Sequence, residues 1–339
     1  MFGYAGSASS NAVDVFGIAV SAGGAFLRDA AIAAGHDLGI FEALARGGPS
    51  SLDDLAGAIG VAAGRRRLRA LLDVLAALGA IACDRSTTPR FAAADVSPSR
   101  PEVAAAGWGR IAEVIGRDQA LSDPDVASPE GARRFHHHLA IAGAEAAGEL
   151  VAQLGTTSLL DLGAGAGAYT RAFLAARPAG HATLVDTREI LGLAAEWLGP
   201  LAARARFVAG DASTVAAGDG YGAALLANVL HLHPPAMCAR LCTAAARAVA
   251  PGGVVVIKDL RIDEDRTGPI EGLLVALNMA LYTEAGEVYP TSQLRAWLAE
   301  AGLGQITEHR LVAAPDAVVV IARRPPGVTL APRRGSPAA

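Results

Sequence analysis

Three glycines within residues 161–167 give the strongest chemical signal in the sequence. The segment reads Asp-Leu-Gly-Ala-Gly-Ala-Gly and lies between a predicted strand, 158–162, and a predicted helix, 169–176. Glycines in such a turn let the backbone approach a ligand closely, and the free amides at the helix start attract an anion. Gly163, Gly165 and Ala168 also fit the dinucleotide pattern G-x-G-x-x-A, so the turn alone leaves both a pyrophosphate and a carboxylate open.

Three aspartates separate these possibilities. Asp161 lies two residues before the first glycine, where it would repel a pyrophosphate but suits the ammonium of an amino acid. Asp186 ends the second predicted strand, where a carboxylate can accept both ribose hydroxyls. Asp211 ends the third, where an acceptor can take an adenine amino group. An amino acid, a ribose and an adenine make up S-adenosylmethionine, which is therefore the predicted cofactor.

Strands and helices alternate along the second half, which must position these groups. The predicted strands are 158–162, 182–185, 205–209, 222–227, 254–257 and a terminal antiparallel hairpin of 305–312 with 317–322. Such alternation predicts right-handed crossovers and a parallel sheet with helices on both faces. We expect an α/β fold, a Rossmann-like doubly wound sheet with an antiparallel last strand, as the catalytic domain over residues 151–323.

The first half is predicted to be mainly α-helical. Two helices, near 52–60 and 63–78, are joined by a turn and followed by two short β-prone pieces, 80–83 and 90–92. This order is typical of a winged helix. We assign a winged-helix domain to residues 12–100 and linking helices to 101–150.

Four arginines at the start of the second helix suggest two interpretations. Arg65, Arg66, Arg67 and Arg69 would either recognise DNA or form a solvated helix face in a module that packs against a partner. The chain carries 29 basic and 33 acidic residues, a net charge of −4. This balance lacks the basic footprint of nucleic-acid binding. We therefore favour the solvated face and expect no nucleic-acid partner.

Composition favours a cytoplasmic protein. Cys83, Cys238 and Cys242 do not make a disulfide framework. Residues 1–11 lack the basic region and apolar run of a signal peptide. No stretch reaches the roughly 20 apolar residues of a membrane span, so we expect no membrane contact. The Pro-, Gly- and Arg-rich tail, 324–339, is expected to be mobile.

The cofactor motifs resemble those of class I S-adenosylmethionine-dependent methyltransferases. The resemblance rests on LLDLGAGAGAYT at 159–170, Asp186, Gly210-Asp211 and Pro251-Gly252-Gly253. It implies that the glycine turn lines the methionine end, with the two later acids at the ribose and the adenine. The expected cofactor contacts are Asp161, Gly163, Gly165, Gly167, Asp186, Asp211 and Asn228.

The winged-helix half is similar to the dimerisation domain of the plant-type O-methyltransferase family, which includes bacterial enzymes that act on small molecules. The resemblance covers about residues 20–323 and implies a homodimer. It also implies a general base at His231, which the family usually follows with Asp and an aromatic residue. Leu232 and His233 follow here instead. A neutral imidazole is a suitable acceptor for the proton of a phenol or another hydroxyl. The alternative is that His231 only caps the fourth crossover.

Family members often orient this histidine with two acids. Asp259, just after the fifth strand, is the candidate for the first position. Glu287 is the candidate for the second, although an ungapped match from the following helix places Val288 there. Either acid is alternatively an ordinary surface residue.

Three successive histidines, 136–138, lie on a predicted helix. Successive helix positions point about 100° apart, so the three cannot share one metal ion, although one of them with His231 and His233 could. Methyltransferases of this type usually need no metal, so we expect none. We instead expect one histidine, His138, to line the cleft near the sulfonium. The other predicted pocket walls, which alternatively pack in the core, are Trp108, Met279 and Tyr282.

The sequence thus predicts a homodimeric methyltransferase that acts on a hydroxyl or phenol oxygen of a small natural-product intermediate. The altered neighbours of His231 leave C- or N-methylation open. A winged-helix regulator that senses S-adenosylmethionine, a dehydrogenase that uses the same turn and a non-methylating reaction are the remaining alternatives.

Overall fold

The computed structural model describes residues 20–104, 106–122 and 128–326. Residues 1–11, where no signal peptide is expected, lie outside these ranges, as do residues 12–19 of the predicted winged-helix domain. Most of the predicted mobile tail, 327–339, also lies outside them.

From residue 20 onward, four helices and a small sheet form the N-terminal unit, which agrees with the winged-helix prediction. The helices are α1 (Val20–Asp37), α2 (Ile40–Gly47), α3 (Leu52–Ala58) and α4 (Arg65–Ala77). The strands are β1 (Ser50–Ser51), β2 (Ile81–Cys83) and β3 (Arg90–Ala93), in the order β1-β3-β2. Helix α3 begins with a capping box in which Ser51 and Asp54 satisfy each other's backbone amides.

In the described part of the chain between the two halves, three helices link them. They are α5 (Ile111–Arg117), which follows a 3₁₀ turn at Gly107–Arg110, α6 (Pro129–Ala142) and α7 (Ala144–Ala152). Helix α6 starts where the Ser128 hydroxyl accepts from the Gly131 amide, with Pro129 in the first turn. Arg133 on α6 pairs with Glu196 of the C-terminal half.

Seven strands form the main sheet, in the order β6-β5-β4-β7-β8-β10-β9. They are β4 (Ser158–Leu162), β5 (His181–Asp186), β6 (Ala205–Ala209), β7 (Tyr221–Ala227), β8 (Val249–Leu260), β9 (Gly304–His309) and β10 (Ala317–Arg323). Strands β4 to β8 pair in parallel, and β10 is antiparallel to both of its neighbours. The predicted doubly wound sheet with an antiparallel last strand is confirmed.

The helices of the sheet region follow its strands. They are α8 (Ala168–Ala176), α9 (Arg188–Leu198), α10 (Pro235–Ala248), α11 (Ile270–Tyr282) and α12 (Thr291–Glu300). Alternate residues of β8 enter different cores, because side chains along a strand point to opposite faces. Val255 and Ile257 lie in one apolar cluster and Val256 in the other. Both faces of the sheet are therefore covered.

Helix α11 completes the core of the N-terminal unit. Leu273, Leu277 and Leu281 are fully buried, and their spacing of four places them on one helix face. They belong to one apolar cluster with Leu68 and Leu71 of α4. The two halves of the chain therefore share a core.

Arg67 is buried and does not lie on the solvated helix face that the sequence predicts. It is 1% exposed and donates to the carbonyl oxygens of Ala280 and, at 3.2 Å, Thr283. It also pairs with Asp118 at 2.9 Å and with Glu284 at 3.1 Å. A buried guanidinium is tolerated when acceptors satisfy its donors. The end of α11 and the residues after it supply most of those acceptors.

Arg66 makes a second link to the same segment. Its guanidinium donates to the carbonyl oxygens of Gly286 at 2.6 Å, Thr283 at 2.8 Å and Glu284 at 3.1 Å. The other two arginines pair inside the N-terminal unit, Arg65 with Asp53 and Arg69 with Asp73. The predicted solvated face is therefore wrong, and all four arginines make intramolecular contacts.

Within the described part of the chain, no helix combines the length and apolar character that crossing a bilayer requires.

Arg67→Ala should destabilise the fold, because it removes a buried cation and leaves two backbone carbonyls without their donor. We expect the free energy of unfolding to fall by about 2–4 kcal/mol, measured by urea denaturation followed by circular dichroism. Arg65→Ala is the matched control, since its exposed pair with Asp53 should contribute about 0–1 kcal/mol. Equal losses in the two variants would contradict the interdomain role of Arg67.

Candidate active site

The carboxyl ends of β4, β5, β7 and β8 border a cavity of about 820 Å³. Side chains of α6 and α11 also line it. Ligands bind outside the carboxyl ends of the strands in open α/β sheets. The predicted cofactor residues that line this cavity are Asp161, Gly163, Gly165, Asp186, Asp211 and Asn228.

The glycine turn forms one wall of the cavity. Gly163 has a φ of 70°, and a side-chain carbon there would lie 2.1 Å from Cγ2 of Val229, so only glycine fits. The Gly165 amide donates to the Asp186 carboxylate at 2.9 Å, which fixes the turn to the end of β5. The turn is thus held against both neighbouring strands, with room above Gly165.

Gly167 lies elsewhere than the sequence analysis expects. It begins α8, and a side-chain carbon there would lie 2.8 Å from Cδ1 of Leu198 and 3.2 Å from Cδ2 of Leu184. Its surroundings are therefore the apolar core beneath the turn. Gly167 permits close helix–sheet packing rather than lining the cavity.

Asp161 is a buried carboxyl at the end of β4. Its Oδ2 accepts a hydrogen bond from the Thr170 hydroxyl at 2.7 Å. Burial raises the pKa of Asp161 to about 6, against the lowering effect of Thr170. Because Asp161 also lines the cavity, a bound ammonium would supply the opposite charge that this carboxylate lacks.

The other two predicted acids are less buried. Asp186 is half-buried and accepts from the amides of Gly165 at 2.9 Å and Thr187 at 2.7 Å. Asp211 is exposed and accepts from the Ser213 amide and hydroxyl, each at 2.7 Å. These hydrogen bonds lower the pKa of Asp211. Both carboxylates are oriented by local backbone contacts at their strand ends.

His136 takes the place that the sequence analysis gives to His138. His138 is exposed, whereas His136 is half-buried, lines the cavity and faces Gly165. Burial lowers the pKa of His136, and nearby Asp186 opposes this effect. His137 packs edge-on against Trp197, with ring centroids 4.8 Å apart. The prediction of His138 as a wall residue is therefore wrong by two helix positions.

Two of the three other predicted wall residues line the cavity. Trp108 and Met279 are buried and border it, and the Trp108 Nε1 donates to Oδ1 of Asn278 at 3.2 Å. Asn278 is a polar wall residue that the sequence analysis missed. Tyr282 is not among the cavity walls, and its hydroxyl lies beside Gly107. One turn of helix separates Met279 from Tyr282, so α11 leaves the cavity between them.

His231 and Asp259 form a buried pair at the cavity wall. Asp259 Oδ1 lies 2.6 Å from Nδ1 of His231, and Oδ2 accepts from the His231 amide at 3.3 Å. Because a carboxylate only accepts, Nδ1 carries the proton of this hydrogen bond, and in a neutral imidazole Nε2 is then the acceptor nitrogen. Burial acts to raise the pKa of Asp259, but His231, the Leu260 amide and Lys258 hold it below its ordinary value. The pair therefore presents a basic nitrogen.

Glu287 does not join this pair. Its carboxylate accepts from Arg266 at 2.9 Å, and Arg266 also pairs with Asp73 of α4 at 2.5 Å. Val288, which the ungapped match places at the second acid position, is buried in the N-terminal core. The expectation that Glu287 orients His231 is corrected: this acid helps to join the two halves of the chain.

Lys258 is a further cavity residue that the sequence analysis did not single out. It is 7% exposed, and its Nζ donates to Oδ1 of Asn228 at 2.8 Å. Burial lowers the pKa of Lys258, and adjacent Asp259 opposes this effect. One feature of the sequence could have pointed to this residue: it is the single lysine in a chain that has 28 arginines.

Among the residues that the structure places, no three His, Cys, Asp or Glu side chains cluster as metal ligands do.

Two family sequence models match the chain. The model of the O-methyltransferase domain matches residues 132–304, and that of the O-methyltransferase dimerisation domain matches residues 22–99. The chain belongs to the O-methyltransferase family. The predicted enzyme class and oxygen as the acceptor atom are thereby confirmed.

Two curated relatives from Streptomyces match over most of their length. The 3-hydroxy-5-methyl-1-naphthoate 3-O-methyltransferase of Streptomyces sahachiroi is 28% identical over 315 residues, which cover 86% of this chain and 90% of the relative. The tetracenomycin polyketide synthesis 8-O-methyl transferase TcmO of Streptomyces glaucescens is 28% identical over 328 residues, which cover 89% and 94%.

Solved structures share the fold. The O-methyltransferase family 2 protein from Planctomyces limnophilus, in complex with apigenin, has a TM-score of 0.70 and 23% identity, and the match covers 93% of this chain and 98% of that one. Human N-acetylserotonin methyltransferase, in complex with SAM, has a TM-score of 0.58 and 21% identity, with coverage of 95% and 100%.

S-adenosylmethionine is the methyl donor, as predicted for this family. The residues present fit it. The glycine turn leaves space that a side chain at Gly165 would fill. The buried Asp161 carboxyl accepts from the Thr170 hydroxyl, and no cation among the described residues pairs with it. Asp186 and Asp211 stand at the ends of the next two strands.

Binding of S-adenosylhomocysteine should weaken as pH falls through about 6. The pKa of Asp161 is about 6, so its carboxylate is charged above this pH and neutral below it. Only the charged form attracts the ammonium of the ligand. Isothermal calorimetry from about pH 5 to about pH 8 checks this expectation.

Asp161→Asn is the control for this pH dependence. The variant should bind more weakly at about pH 8 and show a nearly flat profile, since the amide does not titrate. An unchanged profile in the variant would contradict the role of Asp161 and assign the titration to another group, such as His136.

Proposed function

We propose that the enzyme methylates a hydroxyl group of a flat, mainly apolar small molecule, with His231 as the general base. The observation that carries this proposal is the buried His231–Asp259 pair, which opens onto the cavity. Phenolic hydroxyls suit this base best, because their pKa lies closest to that of an imidazole among neutral hydroxyls. Asp259 acts as a positioning residue through His231.

The residues of the chain would act as follows. Nε2 of His231 accepts the proton of the substrate hydroxyl while the oxygen forms its bond to the methyl carbon. The Asp259 carboxylate fixes the ring through Nδ1 and stabilises the imidazolium that results. The bound cofactor supplies the methyl group, and its bond from carbon to sulfur breaks, leaving a thioether. The proton then leaves His231 for solvent.

The cofactor would lie along the carboxyl edge of β4 to β7. Asp161 would face its ammonium group, Asp186 its ribose hydroxyls and Asp211 its adenine amino group. The glycine turn supports this placement, because Gly163 and Gly165 keep the backbone open to the cavity. Asn228, at the end of β7, would border the methionine portion.

The apolar part of the cavity lining supports a flat, apolar substrate. The apolar side chains that line them are Leu27, Trp108, Phe135, Leu139, Leu274, Val275 and Met279. Apolar walls with few polar groups select by shape and by burial of surface. The relatives act on a naphthoate and in tetracenomycin polyketide synthesis, and a fold relative was solved with apigenin. We infer an aromatic natural-product intermediate.

His231→Ala should lower kcat by about 10²- to 10⁴-fold, the usual contribution of a general base. The measurement is methyl transfer to a panel of hydroxynaphthoates and flavonoids such as apigenin. The affinity for S-adenosylhomocysteine should stay near that of the wild type. Raising the pH should restore part of the lost rate, because an ionised phenol needs no base.

Two further variants complete the test. Asp259→Asn should also lower kcat and alter its pH profile, because an amide no longer fixes Nδ1 as the donor. His138→Ala is the matched control, since this exposed histidine should leave kcat unchanged. Near-normal turnover in His231→Ala would overturn the base assignment and leave only a positioning role.

We also propose that the enzyme is a homodimer. The match of residues 22–99 to the O-methyltransferase dimerisation domain supports this state. Light scattering after size exclusion should give twice the 34.3 kDa of one chain. A mass of one chain at micromolar concentration would contradict the proposal.

A further inference from the structure

Lys258 stands out by its residue type and its position together. The chain has 29 lysine and arginine residues, and Lys258 is the one lysine among them. It is buried at the end of β8 and lines the cavity, and no arginine is among the described residues of the cavity walls. Lysine differs from arginine in being a compact point charge on a narrow, flexible stem. The other 28 of these basic positions are arginine, and only this buried one carries the compact cation.

The Lys258 ammonium has a neutral partner. Its Nζ donates to Oδ1 of Asn228 at 2.8 Å. Among the described residues, no carboxylate lies within ion-pairing distance of Nζ, and Asp259 next to it pairs with His231 instead. Burying a cation without a counter-charge is costly. An anion at Nζ would remove that cost.

The sheet places Lys258 beside the glycine turn. Asp161 pairs with Leu225 of β7, and Ala227, two residues further along β7, pairs with Lys258. Asp161 and Lys258 therefore point to the same face of the sheet, two strand spacings and two residues apart, or roughly 12 Å between backbones. An α-amino acid between them would have an acid at one end and a cation at the other.

Asn228 connects Lys258 to the turn itself. The residue after Asn228 is Val229, whose Cγ2 occupies the space that a side chain at Gly163 would need. The ammonium of Lys258 is thus held at the end of the cavity that the glycine turn borders. Apolar residues of α6 and α11 also line the cavity.

We propose that Lys258, held in place by its hydrogen bond to Asn228, binds the α-carboxylate of the methionine portion of the cofactor. The predicted cofactor-binding acids, Asp161, Asp186 and Asp211, suit the ammonium, ribose and adenine, and all of them would repel a carboxylate. Lys258 is the one lysine or arginine among the described residues that line the cavity. The proposal rests on the proposed placement of the cofactor at the glycine turn, and it is independent of His231 as base.

Calorimetry with two ligands tests this assignment. S-adenosylhomocysteine carries the amino-acid group, and 5′-methylthioadenosine carries the same nucleoside and thioether without it. Lys258→Met should weaken binding of S-adenosylhomocysteine by about 10- to 100-fold. It should change binding of 5′-methylthioadenosine by less than about twofold. Methionine matches the length of the lysine stem, and a retained melting temperature shows that the variant folds.

Two outcomes of this titration would overturn the proposal. Equal weakening of both ligands would show that Lys258 supports the cavity as a whole. Unchanged binding of S-adenosylhomocysteine, with a raised KM for an aromatic acid, would assign Lys258 to a substrate carboxylate. Both ligands are thioethers and neither is a sulfonium, so neither can donate a methyl group. Failure of the base proposal would therefore leave both titrations unaffected.

The wild-type protein offers a second measurement. Labelling with [ε-¹⁵N]lysine gives one Nζ signal, which belongs to Lys258. S-adenosylhomocysteine should shift this signal and slow the exchange of its protons with solvent, whereas 5′-methylthioadenosine should not. The same response to both ligands would contradict a contact with the carboxylate.

Discussion

The parallel pairing of β7 with β8 is the constraint on which the active site depends. Ala227 lies opposite Lys258, and the Asn228 amide continues the ladder by donating to the Lys258 carbonyl at 2.8 Å. Because successive strand residues face opposite sides, a slip of one residue would turn Lys258 away from the cavity. It would also separate His231 from Asp259. The register of this one strand pair therefore fixes the positions of His231, Asp259 and Lys258.

A second support for His231 comes from the N-terminal unit. A side-chain carbon at Gly286 would lie 2.6 Å from the His231 carbonyl oxygen, so the segment after α11 packs tightly beneath the histidine. Arg66 of α4 holds that segment through the Gly286 carbonyl at 2.6 Å. Tyr289, just beyond it, donates to the His233 carbonyl at 2.6 Å. The family's dimerisation domain therefore contributes to the geometry of the base.

Local patterns sufficed for the sheet and for the residues at its strand ends. Asp161 and Asp186 could be placed because parallel strands bring their carboxyl ends to one edge. The choice of His136 over His138 could not be made, since it depends on the rotation of α6, which packing sets. The burial of Arg67 is not visible in the local pattern for a related reason: its acceptors at Ala280 and Thr283 lie 213 and 216 residues further along the chain. Only the folded core brings them together.

Helix α11 contributes side chains to two regions. Leu273 and Leu277 fill the N-terminal core, while Val275 and Met279 line the cavity. This has an evolutionary consequence for recombination between relatives. A gene crossover between the two halves would set a foreign helix into the core of residues 20–117, where packing tolerates little change in volume. The segment that shapes the acceptor pocket must therefore be inherited with the N-terminal helices, although more than a hundred residues separate them in the sequence.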